Sequence, residues 1–146
     1  MIRGFFDPER PPHPFVTVAV NIPAATGEEW VSIEFLVDTG ASHTCLHPLD
    51  SVRRVGISLG RLRDASAWPR AIVTGGVGGA ATYFVCEATY GFRHDDGEVE
   101  TFAGDIWIAE LSAGNQRIPS LLGWDLLKHF LMDVDGPAQE LTLRRP

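Results

Sequence analysis

Two stretches near the N-terminus alternate between apolar and polar or small residues, with the period of two that half-buried strands show. They are FVTVAVNI, residues 15–22, and EWVSIEFLV, residues 29–37. The apolar residues on one face of the second stretch are Val31, Ile33, Phe35 and Val37. That face is predicted to pack on a core, and the PAATGE segment between the stretches predicts a hairpin connection.

Helical spacing occurs in two short segments. Residues 47–57 predict a helix, because Pro48 suits a first helical turn and Gly56 suits the stop. The apolar residues at helical spacing, which form the predicted packing face, are Leu49, Val52 and Val55. WDLLKHF, residues 124–130, predicts the second short helix.

The other apolar runs predict strands separated by turn signals. Residues 71–92 predict a strand, a glycine-rich turn and a long strand. DIWIAEL (105–111) and SLLG (120–123) predict further strands, HDDG (94–97) predicts a turn, and LMDV with ELTL predict a final hairpin. Residues 57–70 are loop-like. About seven to nine short strands and two short helices favour an all-β barrel or sandwich.

Length and composition indicate one globular domain. A chain of 146 residues can bury a substantial core but is too short for two such domains. Hydrophobic residues make up 45% and charged residues 21%, which excludes a disordered composition. The proline-rich residues 1–14 are predicted to form an extended lead-in, and residues 15–146 the folded domain.

The acidic net charge disfavours some classes of binding partner. A net charge of −7 argues against nucleic acid or an anionic membrane as the main partner, because both need a basic footprint. The arginines that lie near one another in sequence are Arg53, Arg54, Arg61, Arg63 and Arg70. A solvated face explains them more economically than a binding patch. The sequence has neither the apolar core of a signal peptide at its start nor a membrane-length apolar run, so a cytoplasmic location is the default expectation.

One group of cysteine and histidine residues has the side-chain types of a metal site, but the sequence disfavours metal binding there. Cys45 and Cys86 are too far apart for a CxxC motif and are expected to be small buried hydrophobes. His43, Cys45 and His47 would share one face of a strand, and these side-chain types bind zinc. No fourth ligand is evident nearby, so we expect Cys45 in the core, both histidines at the surface and no metal.

Three motifs carry the candidate chemistry. FLVDTGASHT (35–44) brings an apolar strand straight to Asp38 and turns at Gly40. GGVGG (75–79) follows some 35 residues later as a hairpin tip, and LLGWDLL (121–127) places two apolar residues and a glycine just before a helix. Alone, the DTG triplet is ordinary turn chemistry.

In this order and spacing, the motifs resemble those of the retropepsin-like aspartic proteases, the single-domain family that includes the retroviral proteases. The resemblance covers residues 15 to about 143 and implies a single-domain closed β-barrel with one or two short helices and a β-hairpin flap. It implies that Asp38 is catalytic, that Thr39 locks the two active-site loops across a dimer, and that Gly40 lies close to bound peptide. Ala41 agrees with the retroviral type.

The other two motifs receive roles from the same resemblance. The triplet of Leu121, Leu122 and Gly123 would support the active-site loop from behind. The flap over the substrate would be formed by Gly75, Gly76, Val77, Gly78 and Gly79.

The chain also departs from the family pattern at two positions. Many retroviral enzymes have Asp after DTGA and Arg after the supporting glycine, and these form an ion pair. This chain has Ser42 and Trp124 there. Both partners are replaced together, so neither charge is left buried alone.

Peptide hydrolysis by this chemistry needs two carboxylates about 3 Å apart, one acting as base and one as acid. The sequence has one DTG. Asp125, Asp133 and Asp135 lack the small-residue turn, and Asp125 is better interpreted as a helix N-terminal residue. The second carboxylate must therefore come from another copy of the chain, across a two-fold axis.

These inferences predict an aspartic endopeptidase that acts as a homodimer and binds its polypeptide substrate in extended form. No cofactor, nucleic acid or membrane is expected. The alternative is a non-catalytic retropepsin-like module for dimerisation or peptide binding.

Overall fold

The computed structural model describes residues 1–8, 12–76 and 79–146, and most of their regular structure is strand, so the chain belongs to the all-β class. The strands are β1 (Ile2–Arg3), β2 (Phe5–Asp7), β3 (His13–Asn21), β4 (Trp30–Val37), β5 (Cys45–Leu46), β6 (Arg70–Gly76), β7 (Gly79–Arg93), β8 (Val99–Ala109), β9 (Leu121–Leu122), β10 (Leu131–Asp135) and β11 (Glu140–Arg144). The helices of the described part are α1 (Pro23–Thr26), α2 (Pro48–Arg53) and α3 (Trp124–Leu127).

The larger sheet carries the candidate motifs. Its strand order is β2-β3-β4-β9-β5-β8-β7-β6, and β3 pairs with β7 as well. The pairings therefore run from β3 through β4, β9, β5, β8 and β7 and return to β3. A smaller sheet has the order β1-β11-β10. Part of the predicted lead-in is thus strand, because β1 pairs with β11 and β2 pairs with β3.

The core lies on the inner face of the larger sheet. The alternation predicted for β4 is confirmed, since Ile33, Phe35 and Val37 are buried while Ser32 and Glu34 are exposed. Fully burying a side chain of this size stabilises the fold by roughly 1.5–3 kcal/mol. Val37 is the last residue before Asp38, so the DTG turn starts from a strand that is anchored in the core.

The helix predicted after the DTG turn is confirmed as α2. Gly56 has a φ of +82°, a conformation that favours glycine and explains the stop. Its packing face differs in part from the prediction: Val52 and Val55 are only partly buried against the core, whereas Asp50 and Ser51 are buried. The buried residues of α2 are therefore Pro48 and the polar pair Asp50 and Ser51, and not the predicted apolar face.

The second predicted helix is shorter than its pattern suggested. α3 ends at Leu127, because the next amides, His129 and Phe130, bond three residues back to Leu126 and Leu127 in a tighter turn. None of the helices in the described ranges is long and apolar enough to span a lipid bilayer.

The remaining predictions hold in kind but not always in length. β10 and β11 form the predicted final hairpin, and β6 and β7 form the hairpin around the glycine-rich segment. β8 begins at Val99 rather than at residue 105, because its first half pairs with the end of the long β7. The stretch 57–70 contains two 3₁₀ turns, Arg61–Arg63 and Ala65–Ala67.

Candidate active site

Asp38 lies at the end of β4, beside the strand that carries the LLG motif. β4 and β9 are parallel, with Leu36 opposite Leu121 and Val37 opposite Leu122. The Asp38 amide donates to the Leu122 carbonyl at 3.1 Å. Two segments more than 80 residues apart in sequence are thus joined at the position where the DTG turn begins.

The DTG turn holds one oxygen of the Asp38 carboxylate. The Gly40 amide donates to Asp38 Oδ1 at 2.8 Å, and the Ala41 amide donates to the Asp38 carbonyl at 3.1 Å. Asp38 is half-buried, whereas Thr39 and Gly40 are exposed. Among the described residues, neither Asp38 Oδ2 nor the Thr39 hydroxyl has a hydrogen-bond partner. The turn therefore fixes the orientation of the carboxylate and leaves one oxygen available.

Gly123 packs against the backbone of the same loop. A Cβ built on Gly123 would lie 2.7 Å from both the carbonyl carbon and the carbonyl oxygen of His43, and 2.9 Å from the Ala41 oxygen. The Trp124 amide donates to the Ala41 carbonyl at 2.9 Å, and the Asp125 amide donates to the Ser42 carbonyl at 3.2 Å. Only glycine permits this approach, which places the Leu121–Leu122–Gly123 segment directly against the Asp38 loop.

The Trp124 side chain makes a second connection to the turn. Its indole Nε1–H donates to the Thr39 carbonyl at 2.6 Å, and the residue is 44% exposed. Trp124 therefore ties the start of α3 to the DTG turn by a neutral hydrogen bond. From the sequence alone, Trp124 could be recognised only as a departure from the family pattern. No neighbouring residue indicates that its indole bonds to the Thr39 carbonyl, which is 85 residues away in sequence.

Thr44 and Asp125 form a buried polar link behind the turn. Asp125 Oδ2 accepts from the Thr44 amide at 2.9 Å, and Asp125 Oδ1 accepts from the Thr44 hydroxyl at 2.7 Å. The Thr44 hydroxyl oxygen in turn accepts from the Gly123 amide at 3.2 Å. Asp125 does lie in the first turn of α3, as predicted, but its carboxylate also holds the segment that follows the DTG turn. Sequence reasoning missed Thr44 entirely.

Cys45 is a buried thiol, as predicted. It donates to the His43 carbonyl at 3.3 Å. Burial raises the pKa of this thiol to about 12, and the carboxylates of Asp125 and Asp38 add to the rise. The thiol therefore stays protonated near neutral pH and is a poor nucleophile and metal ligand.

His43 and His47, the two histidines considered as zinc ligands, lie in different environments. His43 is exposed and stacks on Trp107 with ring centroids 4.0 Å apart. His47 is buried, contrary to the expectation of a surface position, because its Nδ1 bonds to the Pro119 carbonyl at 2.7 Å and its amide bonds to Ser120 Oγ. Burial lowers the pKa of His47 from its ordinary value. No group of three metal-ligating side chains occurs within the described ranges.

An apolar row crosses the outer side of the larger sheet and begins two residues before Asp38. By strand register, Leu36 lies opposite Leu121, Leu121 opposite Cys45, and Cys45 opposite Trp107. Their immediate neighbours along each strand belong to the core, so these side chains point away from it. Leu36, Leu121 and Trp107 are only partly buried, which leaves an apolar surface beside the DTG turn.

The predicted flap falls on the β6–β7 hairpin. Gly75 pairs with Ala80 and Gly76 with Gly79, and Gly79 has a φ of +109°. Val77 and Gly78 lie outside the described residues. On β6, Val73 is 69% exposed, so an apolar side chain is presented to solvent near the hairpin end.

Comparison with known proteins adds no relative to these observations. No protein-family model matches the sequence, and no match is found among the curated proteins. Function is therefore inferred from the geometry of the site itself.

Proposed function

We propose that the protein is an aspartic endopeptidase of the retropepsin-like type, active as a homodimer in which the Asp38 carboxylates of two subunits activate water. One observation carries the proposal. Asp38 stands at the end of a core strand, with one carboxylate oxygen held by the Gly40 amide at 2.8 Å and the other without a partner in the described part of the chain.

The chemistry requires a second carboxylate, and other aspartates are committed elsewhere. Asp125 accepts from Thr44, Asp133 lies 3.3 Å from Arg144, and Asp135 accepts from the Ala138 amide. A two-fold axis beside Asp38 would bring the same residue from both subunits together. Two such carboxylates cannot both ionise easily, so one acts as base toward water and the other protonates the carbonyl oxygen.

The architecture supports binding of an extended polypeptide. The strand pairings that return to β3 are those expected of a closed barrel, and the β6–β7 hairpin is the candidate flap. The partly exposed side chains of Leu36, Leu121 and Trp107 offer a surface for apolar substrate side chains beside Asp38. Substrate would add as a strand between this surface and the flap.

Trp124 takes the place of the ion pair that many retroviral enzymes have at this point. Its 2.6 Å hydrogen bond to Thr39 braces the turn without requiring a buried charge. The exposed Thr39 hydroxyl is left available for the equivalent loop of the second subunit.

The first experiment is a peptide-library cleavage assay between about pH 4 and 7, because general acid–base catalysis by a carboxylate pair depends on pH. Wild-type protein should cleave, and Asp38→Asn should not, while both retain the same dimer mass and thermal midpoint. Full activity in Asp38→Asn would reject the assignment. Binding of peptides without any cleavage by the wild-type dimer would favour the non-catalytic module instead.

A mixing experiment tests whether both subunits contribute. When wild-type and Asp38→Asn chains are unfolded together in equal amounts and refolded, about a quarter of the dimers contain two wild-type chains, against about half when they are refolded apart. The mixture that is refolded together should therefore have about half the activity of the mixture that is refolded apart. Activity that simply follows the amount of wild-type chain would show that one Asp38 is sufficient.

A further inference from the structure

A cavity of about 500 Å³ lies between the larger sheet and helix α2, with no contribution from Asp38. Its walls come from β3, β4, α2 and the loop that precedes β9. Three of its lining residues are Arg53 and Arg54 at the end of α2 and Arg117 in that loop. Segments more than 60 residues apart in sequence therefore bring three positive charges to one concavity.

The three guanidinium groups lack an acceptor in the part of the chain that the structure describes, where Arg53, Arg54 and Arg117 make neither a side-chain hydrogen bond nor an ion pair. Five of the other described arginines have a partner. Those that face a carboxylate are Arg3, Arg70, Arg144 and Arg145, and Arg61 donates to the Ala24 carbonyl and stacks on Trp68.

The carboxylates that share the cavity do not neutralise the arginines by contact. Asp50 Oδ2 accepts from Ser120 Oγ at 2.6 Å, and Asp50 is only 9% exposed. Glu34 is exposed on β4 and forms no ion pair with a described arginine. Asp7 is a further lining carboxylate. The cavity therefore combines free guanidinium donors with negative charges that would repel a polyanion.

We propose that this cavity binds a carboxylate-bearing ligand, such as the acidic side chain of a peptide. Arginine is always ionised, and its planar fork matches the two oxygens of a carboxylate. Phe15 and Leu49 line the same cavity and provide apolar surface for the methylene groups that precede such a carboxylate. Singly charged ligands are favoured over phosphates and nucleic acids, because Glu34 and Asp50 oppose additional negative charge.

The inference stands independently of proteolysis, so it is tested in the Asp38→Asn protein, in which substrate turnover cannot interfere. N-acetyl-glutamic acid α-amide, whose only charge is the side-chain carboxylate, is titrated while the arginine Nε–H resonances are followed by NMR. The uncharged isostere N-acetyl-glutamine α-amide and inorganic phosphate are titrated in parallel. Saturable shifts with N-acetyl-glutamic acid α-amide alone support the proposal. No saturable binding, equal binding of N-acetyl-glutamine α-amide, or tighter binding of phosphate overturns it.

Substitutions then locate the site. Arg53→Gln and Arg117→Gln should each weaken binding of N-acetyl-glutamic acid α-amide about tenfold, since a charge-assisted hydrogen bond is lost. The matched control is Arg93→Gln, because Arg93 is exposed, has no ion pair among the described residues and does not line the cavity. If Arg93→Gln and Arg117→Gln lost the same amount of affinity, the loss would reflect net charge alone. That result would overturn the assignment of the binding site to this cavity.

Discussion

Replacing Gly123 by alanine tests how tightly the LLG segment is packed against the Asp38 loop. The new Cβ would lie 2.7 Å from the His43 carbonyl carbon and oxygen, whereas ordinary contact begins at 3.4 Å. The loop must therefore retreat by about 0.7 Å, the difference between those two distances. The obstructing atoms are backbone, so no side-chain rotation relieves the contact.

Both stability and activity should respond. Overpacking of this kind costs typically 1–3 kcal/mol, and we expect a loss of about 2 kcal/mol in the free energy of unfolding. A displacement approaching 1 Å at a catalytic group lowers the rate by about 100-fold. Gly123→Ala should therefore lose about two orders of magnitude in kcat/KM for peptide cleavage, even at protein concentrations that keep it dimeric.

The measurements are urea denaturation, peptide cleavage and dimer mass for Gly123→Ala, with Gly60→Ala as the control. A Cβ on Gly60 meets nothing within 4 Å, and its φ of −62° suits alanine, so its stability should change by less than about 0.5 kcal/mol. If Gly123→Ala matched Gly60→Ala in both stability and kcat/KM, the close packing behind Asp38 would be refuted.

Three further predictions concern the bracing of the site. Trp124→Phe removes the donor to the Thr39 carbonyl and should lower kcat with little change in KM, while costing about 0.5–1.5 kcal/mol in unfolding free energy. Thr44→Val leaves an oxygen of Asp125 without its buried hydroxyl partner and should cost about 1–3 kcal/mol by urea denaturation. His47 has its pKa lowered by burial from the ordinary 6.5, so the unfolded chain binds this proton more readily. Stability should therefore fall as pH drops below 6.5 towards the folded pKa, and His47→Gln should flatten that fall in a thermal-midpoint series.

Control substitutions separate these effects from the general consequences of replacing an aromatic side chain. Trp30→Phe alters an indole that is 50% exposed, has no hydrogen bond to a described residue and lies outside the site, so it should leave kcat unchanged. His129→Gln alters an exposed histidine and is the comparison for His47→Gln. Equal behaviour of each control and its test variant would contradict the assigned contacts.

Individual strands and helices could be predicted because the residues that specify them lie within or next to those elements. The alternation of Ile33, Phe35 and Val37 marks a strand with one buried face. Pro48 marks the start of α2 through its fixed φ, and Gly56 marks the stop because it readily adopts a positive φ. The resemblance to the retropepsin-like proteases also implied that the LLG segment would lie near Asp38, and β4 and β9 do pair there.

The remainder depends on long-range pairing that no local pattern encodes. No local signal indicates that residues 5–7 pair with β3, since Pro8, Pro11 and Pro12 follow them closely and suggest a loose lead-in. Thr44 and Asp125 are 81 residues apart, and their link depends on the sheet bringing β5 beside β9. The burial of His47 likewise follows from the position of Pro119 and not from its neighbours in sequence.

The central claim is that the site is shared between two copies of Asp38. The most direct measurement is the distance between the two Asp38 carboxylates in a crystal of the homodimer grown near the pH of maximal activity. We predict oxygen atoms about 3 Å apart across the two-fold axis, close enough to share one proton. A monomer, or a dimer in which these carboxylates lie beyond hydrogen-bonding range, would contradict the account.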